Sequence, residues 1–270
     1  MYTIWRTGHP INEEVTRALR IGSLRLSDTH EGFTVLHVDE RKKDLPINAS
    51  IAYGILRGTG DIFHACDTDR KEWWEVDRGY FKPKHYDGYY RISLQGTRAR
   101  YVPEVADCLP DDRWNALGIN LAPWRSADKG CILLVPPTEP VAEFYGFDRN
   151  QWINEYTAKL RDKTDRRIVL REKDTTVPLQ YALADCYCVV TYNSNVALEA
   201  LIRGVPAIGG NCEIKHWNGF GVHNINDDLR RPDRLKLFRF LSYCQFTLEE
   251  FNTGYAWKTA NDIQKYGGLY

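Results

Sequence analysis

Short apolar runs alternate with longer segments of mixed polarity along the second half of the chain. Continuous apolar runs of this length are typical of strands buried on both faces of a parallel sheet. Asp148 is a suitable N-cap for a helix that follows it, and Gly204 ends another. Strands separated by helix-length connections predict a doubly wound sheet. The predicted strands are 131–135, 167–170, 186–191 and 205–208, and the predicted helices are 150–162, 178–184 and 196–203.

The first half has a weaker pattern. A helix is predicted over 12–20 and strands over 33–38 and 52–56, and the turn Gly58-Thr59-Gly60 follows the second strand. The stretch 73–92 is rich in Trp and Tyr without a helical period, which predicts loop and strand that carry site residues.

The predicted fold class is α/β, with two compact Rossmann-like domains and the parallel sheet clearest in the C-terminal half. The domains are predicted over 1–125 and 126–225. A helical segment over 226–270, with helices at 232–243 and 248–251, is expected to pack back on the first domain.

Composition narrows the class of protein. Among 270 residues, 43% are hydrophobic, which is enough for a core, and the 13% that are aromatic serve either the core or a cleft that stacks rings. The 36 basic and 36 acidic residues balance, which argues against tight non-specific binding to duplex DNA. The 7 cysteines form no CxxC pair, and Cys186 and Cys188 fit the core as small residues, so neither a disulfide framework nor a metal site is predicted. Without a secretion-type or membrane-spanning apolar segment, the predicted location is the cytoplasm, with no membrane insertion.

The segment after the predicted strand 186–191 carries candidate chemistry. Ligands of open parallel sheets bind at the carboxyl ends of strands, and helix N-termini hold phosphates through free N–H groups. Asn193, Ser194 and Asn195 are therefore candidates to bind a pyrophosphate, and Glu199 is a candidate to bind a ribose or sugar hydroxyl. The alternative is that Ser194 only caps the helix and Glu199 is a surface residue.

Two neighbouring strand ends add further candidates. Arg171 and Lys173 follow the strand 167–170, and two cations at such a place suit a diphosphate. Thr138 occupies the equivalent place after the strand 131–135. An ordinary solvated turn is the alternative at 171–174.

These motifs together resemble the donor half of GT-B glycosyltransferases, most closely the capsule-polysaccharide type and similar proteins of bacteriophages. The resemblance covers about residues 128–210. It implies two Rossmann-like domains facing a cleft, with the acceptor on 1–125 and a nucleotide sugar, which we expect to be a UDP-sugar, on 126–225. It also implies no bound metal and no tightly bound cofactor. The motifs are Arg171-Glu172-Lys173-Asp174, Pro178-Leu179, Ala184-Asp185, Val189-Val190-Thr191-Tyr192-Asn193-Ser194-Asn195, Glu199-Ala200-Leu201 and Gly204-Val205-Pro206.

The chain departs from that family in length, because 270 residues are few for two full Rossmann domains. The N-terminal domain is therefore expected to be trimmed, and the catalytic base has to be inferred from chemistry. Transfer to a hydroxyl needs a carboxylate or imidazole that accepts a proton. The candidates are Asp77, which we favour for its aromatic and glycine neighbours, then Asp61 and His64, and His85 with Asp87; His9 and His216 are unassigned.

The leading hypothesis is a glycosyltransferase, transferring a hexose or related sugar. The phage resemblance suggests a hydroxymethylated pyrimidine in DNA as acceptor, in the host cytoplasm, with Trp73, Trp74, Tyr89 and Tyr90 as material for a flipped-base pocket. The alternatives are a glycan acceptor in capsule or lipopolysaccharide assembly, a nucleotide-sugar epimerase or hydrolase, and a non-catalytic binding protein.

Overall fold

The computed structural model describes residues 1–26, 32–82, 88–125, 130–173, 176–219, 221–225, 229, 232–265 and 267. The chain divides into two compact units. Unit 1 comprises residues 1–100, 104–113 and 239–270, and unit 2 comprises residues 101–103 and 114–238.

Strands and helices alternate along most of the described chain. The strands are β1 Tyr2–Arg6, β2 Phe33–His37, β3 Ala49–Tyr53, β4 Trp73–Arg78, β5 Tyr90–Leu94, β6 Cys131–Val135, β7 Ile168–Leu170, β8 Cys186–Thr191, β9 Ala207–Gly209 and β10 Gln245–Phe246. The helices are α1 Pro10–Arg25, α2 Thr59–Thr68, α3 Pro103–Cys108, α4 Asp112–Leu117, α5 Glu139–Phe144, α6 Arg149–Lys163, α7 Leu179–Ala184, α8 Val196–Ile202, α9 Glu213–Asn218, α10 Arg234–Ser242, α11 Leu248–Asn252 and α12 Tyr255–Gln264.

Unit 1 contains a six-stranded sheet in the order β10-β5-β4-β3-β1-β2. The strands β2, β1, β3 and β4 are parallel, whereas β5 runs antiparallel to β4 and β10 antiparallel to β5. Alternate residues of each strand point to opposite faces. One face packs against α1, α11 and α12 through residues such as Ile4, Val15, Trp74, Phe251 and Trp257.

Unit 2 contains a four-stranded sheet in the order β7-β6-β8-β9, and all its strands are parallel. All five residues of β6 are apolar and buried, and β8 is buried at every position except Tyr187, as the continuous apolar runs predict. Cys186 and Cys188 are buried in β8. Asp148 caps α6 by accepting a hydrogen bond from the Gln151 backbone N–H, which confirms the predicted helix start.

Gly204 shows why the sequence needs glycine after α8. Its φ is +76°, and a Cβ at this position would lie 2.0 Å from the Pro123 carbonyl oxygen. The backbone N–H of Arg125 donates to the Gly204 carbonyl at 2.9 Å. The glycine therefore both ends the helix and lets the 123–125 segment approach the backbone.

The fold class is confirmed as α/β with two Rossmann-like units, of which unit 2 has a fully parallel sheet and unit 1 a mixed one. The predicted Gly58-Thr59-Gly60 turn is corrected, because Thr59 and Gly60 already belong to α2 and the chain turns over residues 56–58, where Arg57 and Gly58 have φ values of +60° and +86°. The sequence pattern also missed β1 and α12, and it placed the third strand three residues too late.

Candidate functional site

The strand order of unit 2 reverses between β6 and β8. After β6 the chain crosses to β7 on one side, and it then returns to β8 on the other side of β6. Loops that leave neighbouring strands in opposite directions open a crevice at their carboxyl ends, where ligands of doubly wound sheets bind. Thr138 follows β6 and Ser194 follows β8, so they lie on the two sides of this switch point. We call this carboxyl end of the unit 2 sheet the donor edge.

The loop between β8 and α8 is held by its own side chains. The Thr191 hydroxyl donates to the Val135 carbonyl at 2.8 Å and accepts from the Ser194 backbone N–H at 3.3 Å. The Ser194 hydroxyl oxygen accepts from the Val196 backbone N–H at 3.2 Å. Ser194 therefore contributes a capping bond, while Asn195, the residue at the N-cap position, makes no side-chain capping bond. Asn193 is half-buried in the same loop.

Glu199 lies on α8 and is exposed. It stands in the first turn of the helix, where a carboxylate complements the helix dipole. This place agrees with the surface-residue alternative as well as with a contact to a bound hydroxyl. Its role in binding a ribose or sugar stays a prediction.

Arg149 ties two loops of the donor edge together, and the sequence analysis missed it. Its Nε donates to the Pro137 carbonyl at 2.8 Å, and its guanidinium forms an ion pair with Glu172. Arg149 is the first residue of α6, far from Glu172 in sequence. The loops after β6 and β7 are therefore joined, with Glu172 neutralised between Arg171 and Lys173.

The two predicted cations after β7 differ in their surroundings. The Arg171 guanidinium donates to the Val177 carbonyl at 3.0 Å and is half-buried. Lys173 is exposed and makes no hydrogen bond or ion pair within the described residues. An unpaired ammonium is available to an anion without breaking another bond, so Lys173 is the readier of the two to meet a phosphate. Asp174 lies outside the described residues.

An aromatic group closes the other side of the donor edge. The Tyr192 ring lies 4.9 Å from the Phe147 ring and 5.6 Å from the Tyr145 ring, and its hydroxyl accepts from the Asn211 amide at 3.1 Å. Burial raises the pKa of the Tyr192 hydroxyl, so it stays protonated at neutral pH. Asn211 follows β9. A single Asn after a short strand is common in any sequence, so the sequence pattern did not indicate its contact with Tyr192.

Unit 1 repeats the switch-point topology, because its parallel strands also run in the order second, first, third, fourth. Asp61 stands in the first turn of α2, at the carboxyl end of β3, and His64 follows one turn later; both are exposed. The Asp61 carboxylate makes no hydrogen bond or ion pair in the part of the chain that the structure describes. Asp61 is thus a carboxylate available to accept a proton.

Asp77, the favoured base, is placed differently. It lies directly opposite Arg91 in the pairing of β4 with β5, and its Oδ2 accepts from the Arg91 guanidinium at 2.7 Å. Its Oδ1 accepts from the Arg78 backbone N–H at 2.7 Å. The carboxylate is held by the sheet, which is a structural role that the sequence did not indicate.

Glu75 shares this guanidinium. Its carboxylate lies 3.6 Å from the Arg91 guanidinium, and its Oε2 is buried without a hydrogen-bond partner in the described structure. Burial raises the pKa of the Glu75 carboxyl to about 8, against the opposing charge of Arg91, with a smaller contribution from Asp77. A Glu carboxyl in an unfolded chain has a pKa of about 4.3. The folded chain therefore binds the extra proton between these two values.

Replacing Glu75 by Gln is expected to flatten the pH dependence of stability. Since the folded state holds more protons than the unfolded state across this window, the free energy of unfolding of the native sequence falls as the pH rises from 5 to about 8. Glu75→Gln lacks the group that titrates, so its stability should change less over the window and exceed that of the native chain at the upper end. Urea unfolding at several pH values measures this, and parallel curves for both chains would contradict it.

Three of the four aromatic residues suggested for a flipped-base pocket are buried, and the fourth, Tyr89, is half-buried. Trp73, Trp74 and Tyr90 are 3%, 0% and 1% exposed, because β4 and β5 are inner strands of the sheet. Trp73 stacks on Phe63 at 4.4 Å, and Trp74 contacts Trp257 at 5.2 Å. Trp73, Trp74 and Tyr90 therefore form core and offer no open stacking surface.

The remaining candidates lie apart from these groups. His9 is the half-buried N-cap residue of α1, and His216 is exposed on α9. His85 and Asp87 lie outside the described residues. No group of three or more His, Cys, Asp or Glu residues suited to a metal ion occurs among the residues that the structure describes. Within the same residues, no helix has the length and apolar character that a bilayer crossing requires.

The two sheets and the helices that connect their strands define a chain of two Rossmann-like α/β units. Two solved structures resemble it: "Thermosulfurimonas dismutans KpsC, beta Kdo 2,4 transferase", 13% identical, with 90% of this chain and 91% of that chain covered and a TM-score of 0.49, and "Thermosulfurimonas dismutans KpsC, beta Kdo 2,7 transferase", 11% identical, with 94% and 98% covered and a TM-score of 0.48. No protein-family model and no curated protein sequence matches the chain. At these identities and TM-scores, the similarity assigns neither an activity nor a substrate to this chain.

Proposed function

We propose that the protein is a glycosyltransferase that moves a sugar from a nucleotide sugar to a hydroxyl. The observation that carries the proposal is the convergence of the predicted diphosphate ligands on the donor edge. Lys173 follows β7, Thr138 follows β6 and Ser194 follows β8, so one edge of a parallel sheet presents a cation and two hydroxyl groups beside a switch point.

The donor edge suits the leaving group of such a reaction. In the transfer, the bond between the anomeric carbon and the diphosphate oxygen breaks, and a bond to the acceptor oxygen forms. Negative charge grows on the diphosphate, where the Lys173 ammonium, the Arg171 guanidinium and the Ser194 loop would stabilise it. The resemblance of the 171–206 motifs to the donor half of GT-B enzymes supports the same placement.

We assign the acceptance of the acceptor's proton to Asp61 ahead of Asp77 and His64. Asp61 combines exposure with a carboxylate that no cation of the described residues holds. Asp77 is already bonded to Arg91 at 2.7 Å, so moving it towards a substrate would leave that buried guanidinium without its closest partner.

For the acceptor we propose a glycan hydroxyl, the first alternative to a DNA base. A DNA base would need an open aromatic pocket, and the tryptophans suggested for it are buried. The balanced charge of the chain also gives no basic surplus for a nucleic acid. UDP is the proposed nucleotide, on the resemblance alone.

Product analysis with radiolabelled nucleotide sugars tests the proposed function. We expect label to pass to an acidic or neutral oligosaccharide acceptor and to leave hydroxymethylated DNA unlabelled. Turnover without any acceptor would indicate an epimerase or hydrolase instead. Labelled DNA would overturn the choice of acceptor, and nucleotide binding without turnover on any acceptor would indicate a binding protein.

A further inference from the structure

A cavity of about 270 Å³ opens on unit 2 away from the donor edge. Its wall comes from the second half of α6 and from the short 3-10 helix Val222–Asn224. The helix α6 leads from the carboxyl end of β6 back to the amino end of β7, so its last turns approach the opposite end of the sheet. The Tyr187 hydroxyl, at the amino end of β8, donates to the Ile225 carbonyl at 3.1 Å, which holds the 3-10 helix at that same end. The cavity is lined by Tyr156, Lys159, Asp162, Lys163, Val222 and His223.

The charge of this lining favours an anion. Two ammonium groups and an imidazole face one carboxylate, that of Asp162. The existing ion pairs are weak competitors, because Lys159 lies 3.5 Å from Glu155 and Lys163 lies 2.9 Å from Asp162 on side chains that are 47–72% exposed. Exposed pairs of this kind contribute little to stability, so a ligand anion can compete with them at little cost.

The apolar part of the lining limits the ligand's size and shape. Trp152 stacks on the Tyr156 ring at 4.2 Å, and the Lys159 ammonium lies 5.1 Å from the centre of that ring. With one face of the ring covered and a cation over it, a planar base has no open surface on which to stack. The volume lies just below the usual ~300–1,000 Å³ of sites for larger organic ligands, which suits one or two sugar rings.

We propose that this cavity is an auxiliary site for a saccharide that carries a carboxylate or phosphate group. The ammonium groups of Lys159 and Lys163 bind the anionic group, and Val222 contacts the carbon face of the sugar. The choice of a saccharide rests on the proposed function; the anionic character rests on the cavity. A second contact on the chain raises the effective concentration of a long acceptor near the protein.

Calorimetric titration of the full chain tests the site with four probes: cellobiouronic acid, glucose 6-phosphate, cellobiose and inorganic phosphate. We expect one or both acidic sugars to bind about tenfold more tightly than cellobiose and than inorganic phosphate, and to bind less tightly as salt is added. The acidic sugar that binds identifies whether the carboxylate or the phosphate is the recognised group.

The variant Lys159→Gln/Lys163→Gln should weaken this binding about tenfold, because it removes both cations from exposed positions without changing the fold. Lys173→Gln, the same change at the donor edge, is the matched control and should bind the acidic sugar like the native chain. Equal binding of cellobiose, inorganic phosphate binding as tightly as the sugars, or an unchanged double variant would overturn the proposal.

A UDP titration of the same samples separates this proposal from the proposed function. Native chain that binds UDP but neither acidic sugar would overturn the auxiliary site alone. Lysine-dependent binding of an acidic sugar, without binding of any nucleotide, would support the site and overturn the donor edge.

Discussion

Replacing Asp61 by Asn is expected to lower kcat of sugar transfer by about 10²- to 10⁴-fold, the usual contribution of a general base. The substitution keeps the size and the hydrogen-bonding shape of the side chain while it removes the charge that accepts the proton. Because Asp61 is exposed and bonded to no other described residue, the free energy of unfolding should change by less than about 1 kcal/mol. Initial rates of label transfer under saturating donor measure the effect.

Asp77→Asn is the informative control for this prediction. It removes the negative charge that lies 2.7 Å from the buried Arg91 guanidinium, so it should lower stability more than Asp61→Asn does. Once folded, it should retain a larger share of the activity. An Asp61 variant as active as the native chain, beside an inactive but folded Asp77 variant, would return the role of base to Asp77.

Replacing Arg113 by Met is expected to have the largest effect on stability, a loss of about 2–4 kcal/mol. The Arg113 guanidinium forms an ion pair with Glu250 and donates to the carbonyls of Ser242 at 2.9 Å and Gln245 at 2.7 Å. It also lies 5.0 Å from the Phe246 ring. The side chain is 13% exposed, and its loss removes a donor from two carbonyls and the cation that pairs with the Glu250 carboxylate.

Urea denaturation of the full chain measures this loss. Arg17→Met makes the same change at an exposed position of α1, where we expect less than about 0.5 kcal/mol. Similar midpoints for the two variants would mean that Arg113 does not hold residues 242–250 to the rest of unit 1.

The two halves of the fold differ in how far the sequence predicts them. In unit 2, β6 and β8 are buried on both faces, so their burial appears directly as apolar runs. In unit 1, β4 buries Glu75 between apolar neighbours. An ionisable residue interrupts the apolar run, so the pattern of polarity does not distinguish this strand from a loop. Glu75 is stabilised there by Arg91 of β5, and cross-strand pairing leaves no local signal in the sequence.

The candidate site is predictable to the same extent as the strands that carry it. Ser194 and Lys173 follow from strand ends, which local pattern locates within a few residues. Arg149 and Asn211 do not, because each acts on a loop distant in sequence, at Glu172 and Tyr192. Likewise, the pairing of Asp77 with Arg91 depends on the register of two strands. This pairing is the reason why we propose Asp61 ahead of Asp77 as the base.

The central claim is that the donor edge binds a nucleotide sugar, and thermal unfolding with and without UDP, GDP, CMP, ADP and their sugars tests it most directly. A ligand at about a hundred times its dissociation constant adds about 2.7 kcal/mol, which is visible as a rise in Tm. We predict a rise with one nucleotide, UDP, that is reduced in Ser194→Ala and Lys173→Gln and unchanged in Lys159→Gln/Lys163→Gln. No rise with any nucleotide, or a rise of equal size in the Ser194 and Lys173 variants, would contradict the account.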